Sequence, residues 1–127
     1  MTWNDLAQAK YARLTTFKKD GTPVGSPVWV APDGDRIVIW TSVGTWKVKR
    51  ISRTPLVKLQ ISDNRGRVRG VEEISGTAVV LDAAETEHVR EVVYGKYGLI
   101  GKLLIKGHKL FRGRDASVGL AVTQLLD

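Results

Sequence analysis

The chain has 127 residues, enough for one domain with its own hydrophobic core, and 43% of them are apolar. It contains no cysteine, which excludes disulfides, thiolate metal sites and a cysteine nucleophile. Its histidines, His88 and His108, are far apart in sequence, which argues against a histidine-built metal site. The 20 Lys and Arg residues outnumber the 13 Asp and Glu residues and give a net charge of +7. This charge favours an anionic partner: nucleic acid, a membrane surface, or a phosphorylated or carboxylated small molecule.

The sequence carries no sign of export or membrane insertion. Its start lacks a basic segment followed by an apolar stretch, and no apolar run approaches the length of about 18 residues that a membrane-spanning helix needs. We therefore expect a cytoplasmic protein without stable membrane insertion.

The first part of the chain predicts one amphipathic helix followed by strands. The sequence Asp20-Gly21 is a strong hairpin signal because glycine tolerates positive φ, and a second turn is predicted at 32–35. We expect the three strands that these turns connect to form a meander. The predicted elements are a helix over Thr2–Arg13 and strands over Leu14–Lys18, Pro23–Ala31 and Arg36–Thr41.

The second part mixes helices and strands. Asp82, with Glu85 three residues later, has the pattern of a helix N-cap. The predicted elements are a short helix over Thr45–Arg53, strands over Leu56–Ser62 and Arg69–Leu81, a helix to about Tyr97, more helix over Leu99–Lys106, and a last strand over Ser117–Leu125. About six strands with closely spaced turns, and helices that do not alternate with them, predict a closed or split antiparallel barrel with peripheral helices, an α+β fold in one domain over residues 1–127.

The most informative segment for chemistry runs from Trp40 to Arg53. A strand ends in Thr41-Ser42, a glycine-containing loop follows, and a helix begins near Thr45. The free amides at a helix N-terminus, with nearby hydroxyls and the charges of Lys47 and Arg50, would form a phosphate cradle. The alternative is a solvated basic helix with an ordinary threonine cap.

Aromatic and basic residues elsewhere leave two interpretations open. Trp29, Trp40 and Trp46 would suit stacking on a planar ring or a base, or they are core and interface residues. The basic block Lys96–Arg114 would attract an acidic ligand tail, a membrane or nucleic acid, or it is a solvated cationic face over a buried stripe. Other catalytic motifs are missing, so an enzyme of this sequence would take its reactive centre from a cofactor.

The hairpin sequence from Leu14 to Trp29 resembles the opening hairpin of the pyridoxamine-phosphate-oxidase-like, or flavin/deazaflavin oxidoreductase, superfamily. Trp40-Thr41, Lys47–Ile51 and Pro55–Val57 resemble the cofactor-phosphate segment of that superfamily, in the same order and spacing. Tyr97–Lys102 and Val118–Leu120 resemble its F420-dependent branch in particular.

The resemblance implies a split-barrel homodimer that binds coenzyme F420, or alternatively FMN, at the subunit interface. By this resemblance Ser26, Pro27 and Val28 would lie along the cofactor ring, and Gln60 would face the same cleft. The remaining residues implied for the ring, its side chain and the phosphate are Trp40, Thr41, Ser42, Thr45, Trp46, Lys47 and Arg50. No catalytic side chain and no metal ligand is implied.

The function implied is a reductase that passes a hydride from reduced F420 to a small molecule with an activated double bond, or to a quinone-like or tetrapyrrole-like substrate. The strongly anionic oligoglutamate tail of F420 suits the net charge and the basic block better than the smaller FMN does. The nearest alternative is an FMN-binding oxidase or flavin carrier of the same fold. An alternative of another class is a non-enzymatic nucleic-acid-binding module, although we expect no nucleic acid partner.

Overall fold

We describe residues 3–42, 45–68, 72–112 and 117–125 in a computed structural model, and of residues 42 and 99–112 the backbone alone. The helices are α1 (Trp3–Gln8), α2 (Trp46–Arg53) and α3 (Ala83–Arg112). The strands are β1 (Tyr11–Phe17), β2 (Pro23–Val28), β3 (Ala31–Asp33), β4 (Arg36–Ser42), β5 (Leu56–Ser62), β6 (Ile74–Val80) and β7 (Ser117–Gln124).

All of these strands pair antiparallel in one sheet of order β2-β1-β5-β6-β7-β4-β3. The sheet forms a half-barrel, and the predicted α+β split barrel is confirmed. The predicted meander is wrong. Most of the second predicted strand forms β2 (Pro23–Val28) at one edge of the sheet and does not pair with the third. Only its last residue, Ala31, belongs to β3, which forms a hairpin with β4 at the opposite edge.

The predicted strand over Pro23–Ala31 divides at Trp29-Val30. Val30 is fully buried, yet its backbone N–H and carbonyl form hydrogen bonds with side chains of α3 rather than with a neighbouring strand. Its N–H donates to the Tyr97 hydroxyl at 3.1 Å, and its carbonyl accepts from Lys96 Nζ. Because these bonds replace a strand ladder, the chain can leave one edge of the sheet and begin the other.

The helix boundaries differ from prediction at α1. This helix ends at Gln8, and Tyr11-Ala12-Arg13, predicted as helix, belong to β1. Ala12 and Leu14 are fully buried while Arg13 is exposed, the alternation of a half-buried strand.

The start and the interruption of α3 agree with prediction. The Glu85 N–H donates to Asp82 Oδ1 at 2.9 Å, which confirms the N-cap. Gly98 has a φ of 64° and a ψ of −145°, so the helix is broken where the sequence predicts two helical segments.

The core has two parts, on the two faces of the sheet. The larger lies inside the half-barrel, where α1 contributes Leu6 and α2 contributes Ile51. The smaller lies on the outer face, where Val89 and Val93 of α3 pack on Val38 and Ala121. Three half-buried aromatic residues pack against this second cluster: Trp29, Trp40 and Tyr97. Two of them, Trp29 and Trp40, also line a cavity.

Candidate functional site

A cavity of about 240 Å³ opens on the outer face of the sheet beside α3. It is lined by Pro27, Val28, Trp29, Trp40, Thr41, Lys47 and Val93. We call it the ring cavity, because two tryptophans form its apolar walls and suit a planar aromatic group. One hydroxyl and one ammonium group supply its polar side chains, the usual composition of a small-molecule site.

The tryptophan wall is held in place by α3. The Trp29 and Tyr97 rings stack with centroids 4.2 Å apart and an interplanar angle of 9°. The Tyr97 hydroxyl lies 2.6 Å from the Lys10 carbonyl and 2.9 Å from the Val30 carbonyl, so it can donate to either. Burial raises the pKa of Tyr97 to about 12, which keeps this hydroxyl protonated at neutral pH.

Lys47 supplies the charge of the ring cavity. Burial, and then repulsion from Arg50, lower the pKa of its ammonium group below the usual 10.5. A half-buried cation held near a second cation gains from an anionic ligand, because the ligand replaces lost hydration and offsets the repulsion. The arrangement suits a phosphate or carboxylate attached to the ring that the tryptophans hold.

A second cavity, of about 440 Å³, lies against another face of α2. It is lined by Lys18, Trp46, Lys49, Arg50 and Arg53, and we call it the basic cavity. The sequence predicted Trp46, Lys47 and Arg50 around one phosphate. The structure instead divides them between two cavities: residue 47 faces the ring cavity and is turned by about 100° from residue 46 and by about 60° from residue 50 around the helix.

Of the other predicted residues, Ser26, Thr45 and Gln60 line neither cavity. Ser26 is half-buried in β2, opposite Leu14 in the register. Ser42 ends β4 opposite Ser117, and its side chain lies outside the described part of the chain. Thr45 is the N-cap of α2 by its extended backbone, without a side-chain capping bond.

Gln60 is the last of these residues, and its position is compatible with the expected cleft. It is half-buried in β5 and pairs with Arg13, which pairs in turn with Pro27. Directly opposed residues of an antiparallel sheet project to the same face, so Gln60 and Pro27 share a face two strands apart.

Sequence reasoning missed several lining residues. Val93 was not singled out, although its spacing of four from Val89 marks the buried stripe of α3. Lys18, Lys49 and Arg53 were not assigned to any site either. The spacing of residues 46, 49, 50 and 53 was the available signal, because it places them on one helix face.

Among the basic residues of the block Lys96–Arg114, only Lys96 has a described side chain. Its Nζ donates to the carbonyls of Ala7, Ala9 and Val30, so this lysine ties α3 to α1 and to the β2–β3 connection. The side chains of Lys102, Lys106, Lys109 and Arg112, and the whole of Arg114, lie outside the described residues. The expectation that the block contacts an anionic tail therefore stays a prediction.

Within the described ranges, no group of three or more His, Cys, Asp or Glu side chains could hold a metal ion. No helix in that part of the chain is long and apolar enough to cross a membrane.

The half-barrel and the aromatic cavity on its outer face define a split-barrel protein. Residues 4–113 match the model of the family described as pyridoxamine 5'-phosphate oxidase, and the chain belongs to this family. A comparison with curated proteins finds no match.

Solved structures share the fold at low sequence identity. A conserved hypothetical protein from Mycobacterium tuberculosis is 20% identical, with a TM-score of 0.70 over 99% of this chain and 82% of its own. The heme storage protein HutZ from Vibrio cholerae is 14% identical, with a TM-score of 0.69 over 98% and 88%. An F420 reductase is 20% identical, with a TM-score of 0.56 over 99% and 95%.

Proposed function

We propose that the ring cavity binds coenzyme F420 and that the protein is an F420-dependent reductase. The observation that carries the proposal is the pairing of two tryptophan walls with a half-buried cation, Lys47, in one cavity of a pyridoxamine-phosphate-oxidase-family fold. The tryptophans suit a planar tricyclic ring, and Lys47 suits an acidic group on its side chain.

The chain's own part in the reaction is binding and orientation. Trp29 and Trp40 would fix the plane of the ring and keep water from the covered part of the cavity, and Thr41 would offer a hydroxyl to a polar atom of the ligand. When bound in its reduced form, F420 supplies a hydride from ring carbon 5 to an activated double bond or a quinone-like or tetrapyrrole-like acceptor. Lys47 would pair with the acidic group of the ligand, so solvent or a water bound to the acceptor would supply the proton that completes the reduction.

We propose further that the active form is a homodimer. A cavity of about 240 Å³ is below the range of roughly 300–1,000 Å³ found for sites that enclose a drug-sized ligand. One chain therefore offers part of a site for a cofactor of this size, and a second chain would complete it. The outer face of the neighbouring strands β5 and β6 also exposes 38% of Leu56 and 57% of Val79.

The test is a titration of the purified protein with F420, FMN and a single-stranded oligonucleotide, followed by fluorescence. We expect F420 to bind most tightly, and Lys47→Ala to weaken it by about tenfold or more through loss of one charge-assisted contact. Lys19→Ala is the matched control, because Lys19 is an exposed cation that lines neither cavity.

Reduced F420 should then be oxidised in the presence of a quinone-like acceptor. Tighter binding of FMN than of F420 would favour an FMN-binding oxidase or carrier. Binding of the oligonucleotide alone would favour the nucleic-acid module and overturn the proposal.

A further inference from the structure

The basic cavity owes its charge to the spacing of basic residues along α2. Residues 46, 49, 50 and 53 fall at i, i+3, i+4 and i+7, which places them on one face of the helix, while Val48 and Ile51 face the core. Lys18, the residue directly after β1, lines the same cavity. The lining therefore holds four cations and no carboxylate, which concentrates a positive potential in a concave surface.

Some cations of the described structure have a carboxylate partner. Arg36, Lys58 and Arg67 form ion pairs with Asp33, Glu73 and Asp63 respectively. No such ion pair is found for the cations of the basic cavity within the described part of the chain. Like charges gathered without counter-charges repel one another, and a bound anion would relieve that repulsion.

Trp46 supplies an aromatic surface at the same place. Its side chain is 68% exposed, the largest exposed fraction among the large apolar residues of the described structure. The Lys49 ammonium lies 4.6 Å from the centroid of its ring, in a cation–π contact between two residues of the cavity lining. The face thus combines fixed positive charge with a flat apolar surface.

From these observations we propose that the basic cavity is a second anion site, which binds an extended chain carrying several carboxylate or phosphate groups. The extended form follows from length: from residue 46 to residue 53 the helix advances about 10 Å, more than one phosphate or carboxylate can span. Two or more anionic groups along a flexible chain would contact cations at both ends of the helix face.

The two cavities adjoin at α2, because Lys47 of the ring cavity and Arg50 of the basic cavity are three residues apart on this helix and are therefore neighbours on its surface. An oligoanion in the basic cavity has two possible sources: a free molecule, or the anionic tail of a cofactor whose ring lies in the ring cavity. Only the second source rests on the proposed function. The first would stand without it.

The experiment measures binding of triglutamate and of tripolyphosphate by calorimetry and by tryptophan fluorescence. Lys49→Ala/Arg53→Ala should weaken both probes by about tenfold or more, because two charge-assisted contacts are lost. The control Lys19→Ala/Arg65→Ala removes the same charge from exposed positions outside the cavity and should weaken them by less than about threefold, a general effect of net charge. Trp46→Phe should abolish the fluorescence response while the calorimetric binding remains.

A second arm separates the two sources and the two proposals. F420 with its glutamate tail should lose affinity in Lys49→Ala/Arg53→Ala while tail-less F420 does not, if the site holds a cofactor tail. Failure of F420 to bind at all, with the oligoanions still bound, would overturn the proposed function and leave the anion site standing. The anion site would be overturned if the cavity variant and its charge-matched control lost equal affinity for the two oligoanions while circular dichroism showed both variants folded. Because the proposed ligand is a small molecule or a cofactor tail, tighter binding of a single-stranded oligonucleotide than of both probes would also overturn it.

Discussion

The Tyr97 ring stacks on the Trp29 ring at a centroid distance of 4.2 Å, and the Tyr97 hydroxyl bonds the backbone of the residue after Trp29. One side chain of α3 therefore fixes both a wall of the ring cavity and the point where the chain leaves β2. Because neighbouring Lys96 bonds the same Val30 carbonyl, this contact also joins α3 to the interruption between β2 and β3.

Two substitutions of Tyr97 should therefore separate the effect of its hydroxyl on stability from the effect of its ring on cofactor binding. We expect Tyr97→Phe to keep the stacked ring and lower the free energy of unfolding by about 1–3 kcal/mol, since the buried Val30 N–H loses its acceptor. Tyr97→Ala should cost about 3–5 kcal/mol and also weaken F420 binding, because the Trp29 wall loses its support. Urea denaturation and fluorescence titration measure the two quantities. Equal cofactor affinity in Tyr97→Ala and the wild type would show that Trp29 needs no such support.

Lys96 should give the protein a stability that rises with pH in the alkaline range. Burial lowers its pKa to about 8 in the folded chain, from 10.5 when it is fully solvated. Between those values the unfolded chain holds the proton more often than the folded chain does, so raising the pH favours the folded state.

The variant Lys96→Met tests this prediction. Its free energy of unfolding should not increase between about pH 8 and pH 10 as that of the wild type does. At pH 7 the variant should be less stable by about 1–3 kcal/mol, because the carbonyls of Ala7, Ala9 and Val30 lose their donor. Denaturant unfolding across the pH range measures both. If the free energy of unfolding changed with pH equally in the variant and the wild type, groups other than Lys96 would cause the increase.

Lys47 should make binding of an anionic cofactor depend on pH. Its pKa is lowered by burial and by Arg50, and the charged form binds the anion, so affinity should fall as the pH rises through a value below the usual 10.5. Lys47→Arg keeps its charge throughout this range and should bind with little pH dependence. Isothermal titration between about pH 7 and pH 10 tests this. A wild-type curve as flat as that of the arginine variant would count against Lys47 as a contact of the anion.

Gly119 should be hard to replace because α3 packs closely on β7 at this point. A Cβ atom there would lie 2.9 Å from Val89 Cγ2, and Val89 is fully buried. Gly119→Ala should lower the free energy of unfolding by about 1–3 kcal/mol through overpacking. Val89→Ala, destabilising by itself, should recover part of that loss in the double variant, so the two effects should not add. Additive losses would mean that the two residues do not compete for this space.

The dimer should be visible at low micromolar concentration as a species of twice the 14.0 kDa chain mass. Analytical ultracentrifugation measures this directly. Val79→Glu places a charge on the exposed outer face of β6 and should shift the population toward monomer if that face is the interface. A wild-type protein that sediments only as monomer would contradict the proposed dimer.

Local chemistry determined much of this protein from the sequence alone. The bounds Leu56–Ser62 agree with β5 because its alternating residues lie between a helix ended before Pro55 and a polar turn. The Asp20-Gly21 turn, where Gly21 has a φ of 90°, the Asp82 cap and the break at Gly98 also depend on residues near in sequence. The family resemblance, rather than local chemistry, predicted the ring-cavity residues of β2 and β4 as cofactor contacts, and that role stays a prediction.

Only the tertiary structure decided which strands meet and which basic residues share a site. The interruption at Trp29-Val30 depends on Lys96 and Tyr97, residues more than sixty positions away that bond the Val30 backbone, and no local pattern carries that information. The division of Trp46 and Arg50 from Lys47 follows from how α2 rotates on the barrel, which packing of Val48 and Ile51 sets. Sequence spacing fixes the angles between side chains on a helix, but the surface that each of them meets is fixed by long-range packing.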